Sequence, residues 1–302
     1  MGAQLRVYRG RIKSVKATKK ITKAMELIAS SRIVKAQQRV EAAAPYTNAL
    51  VRAISAAASN GSTVHALTHP RGDERVRAAV CFITADRGLA GGYSSNVIRE
   101  AEALTNLLKD ENVAAAHYIV GRKGVNFYKF RERPIADQWT GFTDQPRYED
   151  AQAIAAGLLK ALNTPIEEGG VDEIHLVYTH FKNMAQQEVR VRRLIPMEVV
   201  ETSYEEAKAK DLVVPLYDFE PGAEEVLDAL LPNYVTNLVW NALLLSAASE
   251  HAARRRAMKS ATDAADDLIT SLTRRANQAR QAEITQEISE IVGGADALSA
   301  AK

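Results

Sequence analysis

Apolar residues recur every three or four positions at both ends of this chain and cluster into short solid runs in its middle. From Asn233 to Val292 there is neither glycine nor proline. A helix through those about 60 residues would run roughly 90 Å at ~1.5 Å per residue. Globular helices usually span about 8–20 residues, and patterns past ~25 point to a coiled coil or a membrane span. The apolar marks fall at Val235, Leu238, Ala242 and Leu245, then Leu268, Leu272, Ala276 and Ala279, then Ile284, Ile288 and Ile291. Arg254, Arg255, Arg256, Lys259, Arg274, Arg275 and Arg280 interrupt every candidate run, which excludes a span here. Much of the stripe is alanine, so a partner helix can come close. Gly293-Gly294 then predicts a left-handed C-cap.

The N-terminal end has the same character. Ala3 to Ala58 is broken only by Gly10 and Pro45. Leu5, Tyr8, Ile12 and Val15 are spaced 3-4-3, Ile21, Met25 and Ile28 are spaced 4-3, and Ile33, Ala36, Val40 and Ala43 resume the stripe. The slip between the first two sets predicts local over- or under-winding. Pro45 removes one donor and predicts a kink within the helix, and Asn60-Gly61 predicts its end. Two terminal helices of similar length, each with a narrow apolar seam, pair most simply as antiparallel partners.

Between them the period changes. Val76–Thr84 is an apolar run of strand length, suited to a strand covered on both faces. Asp86–Tyr93 is a glycine-rich turn and Asn96–Leu108 an amphipathic helix. His117–Val120 and Ile174–Thr179 read as strands, Val125–Phe130 and Tyr148–Leu162 as helices, and Val189–Leu194 as a solvent-facing edge strand. Glu201–Asp211 is acidic, and Leu212–Pro221 is extended and aromatic. The expected class is α+β: a long antiparallel coiled coil of N- and C-terminal helices with an inserted Rossmann-like α/β domain whose sheet is mostly parallel. The expected segments are helix 1–60, α/β domain 61–211, a foot segment and linker 212–232, and helix 233–302.

Charge sharpens this picture. Net charge is only +2 over 302 residues, yet up to Val40 eleven Lys and Arg face a single Glu26. Such a helix suits nucleic acid, an acidic protein surface or an anionic membrane, or simply keeps a rod soluble. Aromatic residues for stacking on bases are nearly absent from it, which weakens the nucleic-acid reading. The 46 % apolar and 25 % charged fractions are those of an ordinary soluble protein, and Cys81 as the single cysteine fits a reducing compartment. The N-terminus carries no apolar signal core.

Candidate chemistry is thin. Asp86–Gly92 (DRGLAGG) puts glycines where a strand turns into a helix, a place where backbone amides cradle phosphate. It lacks both the Gly-x-Gly-x-x-Gly spacing and the Gly-Lys-Ser/Thr ending, so a structural turn is favoured, with Asp86 and Arg87 bonding locally and Gly88, Gly91 and Gly92 supplying the geometry. The six histidines show no metal spacing, and Cys81 lies in an apolar strand where a thiol is inert. No catalytic constellation, cofactor site or metal site is expected.

Ile21–Ile28 (ITKAMELI), Thr84–Gly92 (TADRGLAGG) and Arg280–Ala297 (RQAEITQEISEIVGGADA) resemble the γ subunits of F-type ATP synthases, in order and over essentially the whole chain. The opening MGAQLRVYRGRI and GGVDEIHLVYT are similar to actinobacterial members. The resemblance implies a non-catalytic rotary central stalk that couples proton flow through the c ring to ATP synthesis on the β subunits. Its implied partners are the α and β subunits, the ε subunit and the c-subunit ring. It implies a peripheral place on the cytoplasmic face of a bacterial plasma membrane, touching the membrane only through the c ring. Residue by residue it implies β-subunit contacts at Lys23, Met25, Arg280, Gln281, Thr285 and Glu290, and c-ring contacts at Tyr217, Phe219 and Glu220. An alanine, Ala90, stands where the family's turn usually has cysteine, and Phe219 where tyrosine is common.

Overall fold

A computed structural model of the chain describes residues 2–60, 75–197, 220 and 222–300. The expected loop at 61–74, the acidic segment at 201–211 and the aromatic stretch at 212–219 lie outside the described residues. The chain divides into two compact units, Met1–Ala29 with Arg254–Lys302, and Ser30–Ala253.

The second unit is built on a five-stranded sheet. β1 (Arg77–Ile83), β2 (Ala114–Val120), β3 (Asp137–Trp139), β4 (Glu173–Phe181) and β5 (Gln187–Ile195) lie in the order β3-β2-β1-β4-β5. The first three pairings outward from β1 are parallel and β4–β5 is antiparallel, so β5 is the expected edge strand. The three-residue β3 was not legible, because Asp137-Gln138-Trp139 has neither the length nor the alternation of a strand. Helices α2 (Tyr93–Asp110), α3 (Arg122–Phe130) and α4 (Tyr148–Asn163) connect the strands. β1 alternates between two cores, which is why its sequence is apolar throughout. Ala78, Val80 and Phe82 face a cluster with Val97, Ala101 and Leu104 of α2 and Val125 and Tyr128 of α3. Ala79, Cys81 and Ile83 face a larger cluster with α4, and with Ile33, Leu50 and Ile54 of α1 (Gly2–Asn60) and Leu238, Ala242 and Leu245 of α5 (Ala223–Ala300).

α1 keeps its expected bounds, whereas α5 exceeds its own at both the start and the Gly293-Gly294 stop. α1 runs unbroken through Pro45 to Asn60. α5 begins at Ala223 rather than Asn233 and carries Pro232 inside it. The lost amide there is offset by packing, since Leu227, Tyr234 and Val235 around it are buried. Nor does α5 stop at Gly293-Gly294: it continues to Ala300. Glycine costs a helix interior only about 1 kcal/mol, and helix-favouring Ala295, Ala297 and Ala300 follow.

The seam of α1 also differs from the expected one. Ile21 and Ile28 are exposed by 60 % and 54 %, and the buried positions beside them are Thr22, Glu26 and Ala29. With half-buried Lys19, the covered positions run Leu5, Tyr8, Ile12, Val15, Lys19, Thr22, Glu26, Ala29, Ile33 and Ala36, alternately three and four apart without a slip. The apparent slip arose because three seam positions are polar while apolar residues stand one place away. In the first unit α1 meets α5 through Lys19 Nζ–Asp266 Oδ1 at 2.5 Å and Thr22 Oγ1–Thr262 Oγ1 at 2.7 Å. The later residue of α1 meets the earlier residue of α5, so the two helices run in opposite directions there. On α5, Met258, Thr262, Ala265, Leu272 and Ala276 are buried, but Leu268 is not. Ile284, Ile288 and Ile291 are exposed too, beyond the stretch of α5 that the described residues of α1 cover in this register.

Candidate functional site

The glycine-rich turn after β1 closes on itself. Three successive acceptors meet the first three amides of α3: Gly124 N donates to Thr84 Oγ1 at 3.0 Å, Lys123 N to the Ala85 carbonyl at 3.0 Å, and Arg122 N to Asp86 Oδ1 at 3.0 Å. Asp86 Oδ2 accepts from Gly141 N at 2.8 Å and Thr143 N at 3.0 Å, and Asp86 N donates to Thr143 Oγ1 at 2.9 Å. Burial pushes the Asp86 carboxyl up, but the amides of Thr143, Arg122 and Gly141 outweigh it and hold the group below the ordinary aspartate value. A helix N-terminus that elsewhere receives phosphate is therefore filled by the chain's own carboxylate. The local geometry needs left-handed backbone at Leu89 and Gly91, whose φ are 63° and 56°. Gly92 caps α2, and a side chain at Gly121 would strike the Thr84 carbonyl.

From this turn, loop 140–146 reaches the long helices. Arg32 of α1 and Arg87 of the turn both approach Asp144 Oδ2, at 2.8 and 3.4 Å. On α5, His251 Nε2 lies 3.0 Å from the Asp144 carbonyl, and Thr143 Oγ1 lies 3.4 Å from Glu250 Oε2. Thr143, Asp144 and Arg32 were invisible in the sequence, because nothing local marks residues brought together over more than a hundred positions. The arrangement joins elements mechanically and presents no nucleophile beside a base. Cys81, with its thiol pushed up to about 12 by burial, is no candidate either.

The expected contact residues are dispersed. Met25 is half-buried, and Lys23 is exposed and pairs with Glu26 Oε2 at 3.0 Å. Arg280, Gln281, Thr285 and Glu290 are all exposed on α5, where Glu290 Oε1 accepts from Gln286 Nε2 at 2.8 Å. The register set by the two cross-helix contacts puts Met25 level with about Lys259. At ~1.5 Å per residue, that leaves it about 30 Å along the helix from Arg280. Glu220 is exposed in a bend, and Tyr217 and Phe219 lie outside the described residues.

A family model described as ATP synthase matches residues 4–298. The "ATP synthase gamma chain" of Acidothermus cellulolyticus is 58 % identical over 99 % of this chain and 99 % of its own. That of Kineococcus radiotolerans is 60 % identical over 99 % of this chain and 98 % of its own. The chain belongs to the ATP synthase gamma family. Among solved structures, the central stalk/c-ring of Tetrahymena thermophila mitochondrial ATP synthase is similar at a TM-score of 0.57 and 26 % identity, over 80 % of this chain and 99 % of that one. A chain of the Euglena gracilis mitochondrial ATP synthase shares the fold at a TM-score of 0.68 and 18 % identity, over 100 % and 97 % of the two chains. As a member of the gamma family the chain is a non-catalytic subunit of ATP synthase, in keeping with a glycine-rich turn that has spent its amides internally. Among the described residues no helix is long and apolar enough to cross a membrane.

Proposed function

We propose that this chain is the rotary central stalk of a bacterial F-type ATP synthase. Its terminal helices form an antiparallel coiled coil that turns inside a hexamer of α and β subunits, and its α/β domain with segment 217–220 seats on the c ring. The observation that carries this reading is the uncovered apolar face of α1. Ile21, Leu27 and Ile28 are 60, 60 and 54 % exposed, beside Lys20 and Lys23, on a helix whose inner seam is already filled. An apolar strip rimmed by unburied cations suits a close partner with acidic groups. Ile284, Ile288 and Ile291 on α5 are bare in the same way. Because the shaft carries different residues on each side, it favours a different conformation in each of three otherwise equivalent β subunits.

In this reading Lys23, Met25, Arg280, Gln281, Thr285 and Glu290 touch β subunits, and Tyr217, Phe219 and Glu220 touch c-ring loops. The about 30 Å between the levels of Met25 and Arg280 means they act on β at two separate heights. The ε subunit completes the stalk, and the assembly sits on the cytoplasmic face of the plasma membrane. The test is affinity purification of the tagged chain from detergent-solubilised membranes, alongside acidification and hydrolysis by vesicles carrying Met25→Lys. The reading expects α and β subunits to co-purify, and acidification to fall more than hydrolysis. Purification without α and β, or equal loss of both activities, contradicts it.

A further inference from the structure

The second unit contains a basic hollow that the stalk role leaves unused. On α1, Arg32, Lys35 and Arg39 stand at spacing i, i+3 and i+7, hence on one helix face. They line a cavity of about 190 Å³ whose other walls are Asp144, Gln145 and Pro146 of the loop, and Leu244, Ala247 and His251 of α5. Through Arg32 and Asp144 it adjoins a second hollow of about 370 Å³ that also carries Arg87, Arg147 and Asp150. Asp144 offsets only part of this charge: its carboxylate is held by Arg32 at 2.8 Å and Arg87 at 3.4 Å, which leaves Lys35 and Arg39 uncompensated. Lys35 and Arg39 make no ion pair among the described residues, although ordinary solvated cations on this chain, such as Lys19, Lys23 and Lys259, find one.

We infer that this hollow binds a small phosphate-class oxyanion, inorganic phosphate or pyrophosphate. With three cations against the single carboxylate of Asp144, the concave wall keeps a net positive charge, which focuses its potential and raises the local concentration of anions. The apolar wall from Ala36, Leu244 and Ala247 strengthens each contact by excluding water from one side. The Arg39 guanidinium and the Lys35 ammonium fit the tetrahedral oxygens of phosphate, with Arg39 able to bond bidentately and Arg32 beside them held in place by Asp144. The size suits this class: about 190 Å³ holds some six waters at ~30 Å³ each, room for phosphate or pyrophosphate.

The test is calorimetric titration of the full chain with sodium phosphate and with sodium pyrophosphate at low ionic strength, where screening is weakest. The same titrations are run on Lys35→Gln/Arg39→Gln and on Lys13→Gln/Lys16→Gln. Both pairs are exposed helix positions and glutamine is a good helix former, so both variants fold. The proposal expects saturable one-site binding, tighter for pyrophosphate, that weakens by about tenfold or more in Lys35→Gln/Arg39→Gln and is unchanged in Lys13→Gln/Lys16→Gln. No saturable heat overturns it. Equal weakening in both variants also overturns it, because that is diffuse attraction to a basic helix. Unchanged binding in Lys35→Gln/Arg39→Gln places the anion elsewhere and overturns it as well.

Discussion

α1 carries two kinds of seam on one face. From Ile33 to Ala57 its inward positions are Ile33, Ala36, Leu50, Ile54 and Ala57, all buried in the larger core of the α/β unit. From Lys19 to Glu26 the same face presents Lys19, Thr22 and Glu26: Lys19 meets Asp266 and Thr22 meets Thr262 of α5, while Glu26 pairs with Lys23 on its own helix. The first seam takes its stability from water-excluded apolar surface, roughly 25 cal/mol per Å². The second is worth little in energy, because hydroxyl pairs and half-exposed ion pairs each net about 1 kcal/mol or less. What polar seam positions supply is register: a buried hydrogen bond is satisfied in one alignment and orphaned in its neighbours. The fixed part of the molecule is thus held by quantity of contact, and the shaft by alignment of a few contacts.

The largest expected effect lies at the turn that ties the α/β unit together. Asp86→Ala leaves the amides of Arg122, Gly141 and Thr143 without their acceptor, and unsatisfied buried donors cost about 1–3 kcal/mol each. Thermal denaturation should show a loss above about 3 kcal/mol; a loss under 1 kcal/mol would mean water replaces the carboxylate at no cost. Next comes Ile54→Ala, which empties space in the apolar seam at a residue 1 % exposed and should cost about 2–4 kcal/mol. A value near zero would erase the contrast between the two seams. Thr22→Val with Thr262→Val removes both hydroxyls together and should change stability by less than about 1 kcal/mol. Its expected signature is relaxed alignment, read as new cysteine cross-links between helix positions one turn out of register. Smallest is Lys19→Ala, about 0–1 kcal/mol and vanishing at high salt, since Lys19 and Asp266 are 38 % and 52 % exposed.

The contrast also explains what the sequence disclosed. The helices, the parallel sheet and every strand but β3 of the α/β unit were legible, the central strand because burial on both faces writes an unbroken apolar run such as Val76–Thr84. The apolar half of the α1 seam was legible for the same reason. Its polar half was misread: Ile21 and Ile28 look like seam residues to a search for apolar periodicity, whereas Thr22 and Glu26 fill the seam. Three polar positions in succession defeat that search. The end of α5 failed differently, as glycine permits a stop without compelling one. At the turn, Asp86 stood out by its glycine neighbours, but its partner Thr143 and the Arg32–Asp144–Arg87 cluster depend on contacts distant in sequence. The contact residues proposed on α1 and α5 came from resemblance to the gamma family, since exposed side chains leave no periodic trace.

The central claim is that this chain turns as a shaft, and rotation can be watched directly. Cys81 is fully buried and is the single cysteine, so Phe130→Cys, at a side chain 89 % exposed, gives one reactive thiol for a bead. The labelled chain is assembled with α and β subunits fixed to a surface and supplied with ATP. The account predicts stepwise rotation in one direction, with three pauses per turn, at a rate that follows ATP concentration. An assembly that hydrolyses ATP while the bead only fluctuates about a fixed angle would contradict it.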